Sequence, residues 1–139
     1  MLVVLDANVF VSAAIQRGAP HRIVDSWLGG AADFEVLMCP ALLDEIREVL
    51  TTRPRLRKWI SVETATLFVD SIATVADLVD DPEAIASETR DPADDYLIAL
   101  ARSHDADVIV SGGKDLLEWQ SQRPPVVTPA QFERRNDAV

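Results

Sequence analysis

Three carboxylates in this chain stand where they could share a divalent cation. Asp6 follows the apolar run LVVL directly, in VVLDANVF. Glu45 lies inside the amphipathic stretch PALLDEIREVL, and Asp94 lies near the start of another, DPADDYLIALA. Bringing such groups together is costly without a cation, because like charges raise one another's pKa values. Oxygen ligands of this hard kind suit Mg²⁺ or Mn²⁺, and neither Cys nor His occurs in the quoted segments. His21 and His104 are isolated and read as surface residues.

Each carboxylate also has a structural explanation. An aspartate at a helix start accepts hydrogen bonds from free backbone N–H groups, so Asp6 reads equally as an N-cap, a role Asn8 could share. On a helical wheel Leu42, Leu43, Ile46, Val49 and Leu50 form one stripe, with Asp44 and Glu48 opposite. Glu45 falls on the flank, where a boundary glutamate can keep its head in water. Leu97, Ile98, Leu100 and Ala101 define the buried face of the next helix. Asp94 lies within about 40° of its centre and Asp95 points well away. A carboxylate on that buried side needs backbone donors or a cation. Asp91, just before Pro92, is the alternative cap.

The elements that must position these groups are legible in outline. LVVL at 2–5 and VIVS at 108–111 read as strands buried on both faces, and FEVLM at 34–38 is similar. VADLV at 75–79 and PVV at 125–127 are weaker strand candidates. Helical patterns occupy 9–16, 20–28, 40–52, 61–73, 93–104 and 114–120, with a short one at 129–135. Pro40, Pro92 and Pro129 each sit where a helix can begin. Alternation of strands and helices predicts an α/β fold with a mostly parallel sheet covered by helices. In such folds ligands bind beyond the carboxyl ends of the strands, where Asp6 stands. DDPEAIASETRDP at 80–92 is the most loop-like stretch.

A chain of 139 residues suits one domain. Its net charge of −10 opposes broad non-specific binding to nucleic acid, which depends on Lys and Arg. Nucleic acid as a substrate stays open, because an acidic cluster loaded with cations presents positive charge. RPRLRK at 53–58 concentrates Arg53, Arg55, Arg57 and Lys58 and is the candidate for contact with an RNA backbone. An exposed basic loop anchored by Leu56 and Trp59 is the competing reading. The opening run MLVVL ends at an aspartate and lacks the features of a signal peptide. With Cys39 as the single cysteine, the expected setting is the cytoplasm, with no membrane partner.

The stretch DVIVSGGKDLL invites comparison with a phosphate-binding loop. A P-loop requires G-x-x-x-x-G-K-[ST], and here only Gly113–Lys114 fits, followed by Asp115.

Taken in order, LDANVF, LLDEIREVLTTRPRLRKW, DPADDYLIALA, ADVIVSGGKDLL and VVTPAQF resemble the PIN domain. The resemblance is closest to its VapC-like branch, the toxin components of toxin–antitoxin pairs. It implies a single PIN-like domain over residues 1–139, a three-layer α/β/α sandwich with a small, mostly parallel sheet. It further implies an Mg²⁺- or Mn²⁺-dependent endoribonuclease, an antitoxin partner and pairing into a homodimer. Asp6, Glu45 and Asp94 match the first three acidic positions, and Asp95, expected to join them as a metal ligand, matches a position often acidic or Asn. Asn8 and Ser111 match supporting polar positions. The fourth acidic position holds Gly113, so the site is expected to lack one ligand unless Asp115 reaches it. That departure opens a second reading, a PIN domain that binds RNA or an antitoxin but cleaves weakly. A phosphoaccepting signalling domain fits less well, since Asp6 has no second acid beside it and FEVLM leads to Cys39 and Pro40 rather than to an aspartate. A D-x-D phosphatase fails because position 8 is Asn.

Overall fold

The computed structural model describes residues 1–136; the last three residues of the expected domain, 137–139, lie outside the described residues. Four parallel strands form one sheet: β1 (Leu2–Leu5), β2 (Glu35–Val36), β3 (Val108–Val110) and β4 (Val126–Val127). Their spatial order is β2-β1-β3-β4. Val3, Val4, Leu5, Ile109 and Val110 are wholly buried, as continuous apolar runs covered on both faces should be.

The strand order decides where a ligand would go. From β1 the chain crosses to β2 on one side, then returns to β3 on the other side of β1, and continues outward to β4. The crevice beyond the carboxyl ends of β1 and β3 is therefore the switch point of the sheet, the place where open α/β sheets take their ligands. Asp6 and Ser111 directly follow these two strands.

Among the described residues seven α-helices form the outer layers: α1 (Ala7–Ile15), α2 (Ala19–Leu28), α3 (Pro40–Thr52), α4 (Val62–Val75), α5 (Pro92–Ser103), α6 (Lys114–Leu117) and α7 (Pro129–Glu133). Helices α1 to α4 pack on one another, whereas α5 lies on β1 and β3. The starts follow the expected chemistry. Proline opens α3, α5 and α7, Ser61 caps α4 by accepting from Thr64 N, and Thr128 and Gln131 form a capping box at α7.

Several boundaries differ from expectation. VADLV is not a strand: α4 runs through Val75, and only Leu78 bridges Met38. Val75 and Leu78 are both exposed, so the run lacks the burial that would make it a strand. FEVLM contributes only Glu35 and Val36, and α6 stops at Leu117. The segment after α3 is a 3-10 helix, Pro54–Lys58. The acidic stretch 80–92 is irregular but tied down. Asp81 accepts hydrogen bonds from Ala41 N (2.9 Å) and Tyr96 Oη (3.2 Å), and Glu88 pairs with Arg102 (2.5 Å).

Candidate active site

Asp6 is both a cap and a site residue. It is buried, and its Oδ1 accepts from Asn8 N (3.1 Å), which caps α1. Its Oδ2 accepts from Ser111 Oγ at 2.7 Å, and that hydroxyl in turn accepts from Gly113 N at 2.9 Å. Ser111 is wholly buried, so this chain of bonds locks the carboxylate against the end of β3. Each carboxylate oxygen has two lone pairs, so one remains on each for a further partner.

Glu45 and Asp94 approach from α3 and α5. Both are half-buried, and among the described residues neither carboxyl accepts a hydrogen bond. Burial pushes the Glu45 carboxyl up, and the charges of Asp6 and Asp91 push it further. Asp94 is raised from 3.8 to about 6, by burial first and then by Asp91, Asp6, Asp115 and Asp95. These shifts describe acids from separate elements whose charges repel one another.

Asp91 belongs to this group although its sequence position suggested only a cap. It does cap α5, accepting from Ala93 N at 2.9 Å, and that frees Asp94 from capping. Its charge nevertheless reaches both Glu45 and Asp94. The spacing Asp91-x-x-Asp94, one helical turn, was the signal that could have found it.

Asp95 is not turned toward this group. Contrary to the helical-wheel expectation it is buried, because the 80–92 segment folds over its side of α5. Its Oδ1 accepts from Glu88 N (3.0 Å), Thr89 N (2.7 Å) and Thr89 Oγ1 (2.9 Å). Burial alone would raise its carboxyl, but these three donors hold it below the usual range. Asp95→Ala strands two backbone donors, so a loss of about 2 kcal/mol in unfolding free energy is expected from denaturant titration. The stabilisation conferred by added Mn²⁺ should persist in that variant; its disappearance would make Asp95 a ligand after all.

Asp115 lies close enough to raise Asp94, but its Oδ1 accepts from Arg90 Nη2 at 2.8 Å. Asn8 is exposed beside Asp6, on a cleft of about 290 Å³ that Ser12, Pro20, Gly112, Gly113 and Pro129 also line. Gly113 itself has φ −74° and ψ 130°, ordinary extended backbone.

The basic segment is not beside the acids. Helix α3 starts at the ligand end of the sheet and runs away from it, so Arg53 lies about 12 Å beyond Glu45 along the axis. Arg57 turns back and donates to the Leu50 carbonyl, leaving Arg53, Arg55 and Lys58 exposed. Trp59 is not a buried anchor: 59% of it is exposed.

The donor set fits a hard divalent cation in kind: all oxygen, drawn from separate elements and mutually repelling. Among the described residues no three acids stand close enough together to enclose an ion.

A family model described as "PIN domain" matches residues 2–115. A chain in the crystal structure of VapBC2 from Rickettsia felis bound to a DNA fragment from their promoter has the same fold. Its TM-score is 0.60 at 11% sequence identity, covering 92% of this chain and 98% of that one. No curated protein matches the chain.

Proposed function

The chain belongs to the PIN domain family, and from that premise we propose that it is a divalent-metal-dependent ribonuclease, the toxin of a toxin–antitoxin pair. The observation that carries this reading is that Asp6 stands at the end of β1, at the switch point of the sheet, where its charge reaches both Glu45 on α3 and Asp94 on α5. The reading takes residues 1–139 as one PIN-like domain acting in the cytoplasm. No helix among the described residues is long and apolar enough to cross a membrane.

Asp6, Glu45 and Asp94 would hold the ion, Mg²⁺ or Mn²⁺. Bound there, it supplies an activated water and offsets charge at a scissile phosphodiester. Ser111 keeps Asp6 oriented through Oδ2, a restraint on the ligand oxygen rather than on substrate. Asp91 adds negative potential at the start of α5, and Asp95 holds the loop that carries it. Asn8 faces the adjoining cleft, where an RNA strand can approach the cluster.

Two partners are part of the reading. An antitoxin suits the apolar cleft of about 190 Å³ between α1, α2 and α4, where Ala13, Val24, Leu28, Ile60 and Phe68 offer an apolar lining. The resemblance to VapC-like toxins also implies a homodimer, and exposed Leu67 and Val75 on α4 are the apolar surface available to it.

A second reading keeps the fold and the partners but weakens the chemistry, and Gly113 favours it. The position holds no carboxylate, and the nearest substitute, Asp115, is paired with Arg90. Purified chain incubated with single-stranded RNA in Mn²⁺, Mg²⁺ or EDTA separates the two. Cleavage that requires metal supports the nuclease; intact RNA in all three supports the weakened domain.

Metal binding has its own expected signature. Because Asp94 holds its proton more tightly in the folded protein than in the unfolded chain, its contribution to stability is present below about pH 4. It is lost as pH rises through about 6. Allowing for the water that reaches this half-exposed group, the loss is roughly 1 kcal/mol. Metal-free protein should therefore melt lower at pH 7.5 than at pH 5, with Asp94→Asn flattening part of that slope. Mn²⁺ should reverse it at pH 7.5, by about 2.7 kcal/mol at a hundred times its Kd. If Asp6→Asn and Asp94→Asn respond to Mn²⁺ as strongly as the natural chain, the ligand assignment is wrong.

A further inference from the structure

We propose that Trp59 is a stacking platform for a base of single-stranded RNA, outside the acidic site and flanked by Arg53, Arg55 and Lys58 as phosphate contacts. This rests on the ribonuclease reading above and extends it to how the strand is held.

The segment is built to present the indole. Leu56 and Ile60 are buried, and the N–H groups of Trp59 and Ile60 both donate to the Leu56 carbonyl at 3.0 Å. Arg57 fastens the turn to the end of α3 through the Leu50 carbonyl. Between these anchors Trp59 is left 59% exposed, whereas Trp27 and Trp119 are each 8% exposed. A large aromatic ring held in water on a braced turn points to a partner for its face.

Charge identifies the partner. The chain carries a net charge of −10, and Arg22, Arg47, Arg90, Arg102, Lys114 and Arg135 all pair with acids. Arg53, Arg55 and Lys58 have no acidic partner among the described residues and are exposed within six residues of Trp59 in the chain. An apolar protein face would gain the indole but would have to desolvate three cations. A single nucleic-acid strand uses both: its bases stack on the ring without regard to sequence, and its phosphates meet the cations. Arg53, where the segment begins, lies about 12 Å beyond Glu45 along α3, within the span of a short oligonucleotide that also enters the acidic site.

The indole is its own probe, since Trp27 and Trp119 are buried. The full chain is titrated in EDTA with single-stranded oligouridylate of about ten nucleotides, a length in the range of single-strand binding sites. Emission from Trp59 should be quenched, and the same strand annealed to its complement should leave it unchanged. Trp59→Ala should bind the labelled strand roughly tenfold more weakly by anisotropy, with Trp59→Phe recovering most of the loss. Arg53→Gln with Arg55→Gln should flatten the salt dependence of binding. Equal quenching by the duplex overturns the proposal, as does undiminished binding by Trp59→Ala. So does emission that changes with protein concentration in the absence of RNA, which would place a second copy on Trp59. A chain that cleaves RNA with no response at Trp59 overturns this proposal and leaves the ribonuclease standing. Binding through Trp59 with no cleavage under any metal supports this proposal and overturns the ribonuclease.

Discussion

Glu45→Gln should lower metal-dependent RNA cleavage by at least about a hundredfold, the scale on which removing one charged group from a catalytic electrostatic site acts. The amide keeps the shape of the side chain but cannot offer an anionic oxygen to the cation. The fold should not suffer. Glu45 is half-buried on the flank of α3, accepts no hydrogen bond among the described residues and is raised by burial, Asp6 and Asp91. Removing its charge relieves repulsion, so the metal-free variant should melt no lower than the natural chain at pH 7.5. Glu48, one turn-face away and exposed, is the control, and Glu48→Gln should leave cleavage unchanged. Cleavage assays on the two variants, with circular-dichroism melts beside them, decide the matter. Equal losses would mean that the acidic field, not a ligand at position 45, is what the reaction needs.

Burial pattern explains what could be read before the structure. LVVL is wholly apolar and VIVS is apolar up to Ser111, and the apolar residues of both lie in strands that are buried apart from a partly exposed Leu2. Glu45 could be placed because α3 is amphipathic and regular: a residue's angle on a wheel fixes its side when nothing else covers the helix. The same wheel failed for Asp95. The 80–92 segment folds over the face of α5 that the wheel assigned to water, and its backbone donors bury the carboxylate. Such irregular chain has no period, and its destination depends on side chains remote in sequence, such as Arg102 and Asp115. Arg57 failed for a related reason. Composition counts it as one of four cations, yet a carbonyl at the end of α3 is within its reach and takes it out of the patch. Trp59 was misjudged because a single aromatic in a basic loop carries no periodicity to say which way it points.

Gly113→Asp should raise Mn²⁺ affinity by about tenfold or more while lowering the stability of the metal-free protein, and these opposite signs are the test. The backbone allows the change. With φ −74° and ψ 130°, position 113 lies where any residue is comfortable, so no left-handed strain opposes a side chain. Space is tighter: a Cβ there would sit 3.2 Å from Ser111 Oγ and 3.9 Å from Asp6 Oδ2. The hydroxyl must therefore give by a few tenths of an ångström, while it still donates to Asp6 and accepts from the amide of residue 113. The second contact is the informative one, because it places a new carboxylate directly beside Asp6. Without a cation, another negative charge joins the group that already raises Asp94 to about 6, and the fold weakens most at neutral pH. With Mn²⁺ the same charge becomes a ligand, and mass action returns more stability than the natural site can. Melts of the two chains across a Mn²⁺ titration should thus cross, the variant lower at zero metal and higher at saturation, with cleavage rising in parallel. Curves that stay parallel would show that the new carboxylate never meets the ion. In that case Asp115, released from Arg90, or Asp91 at the start of α5 already serves the position, and the natural chain is a complete nuclease with Gly113 in place.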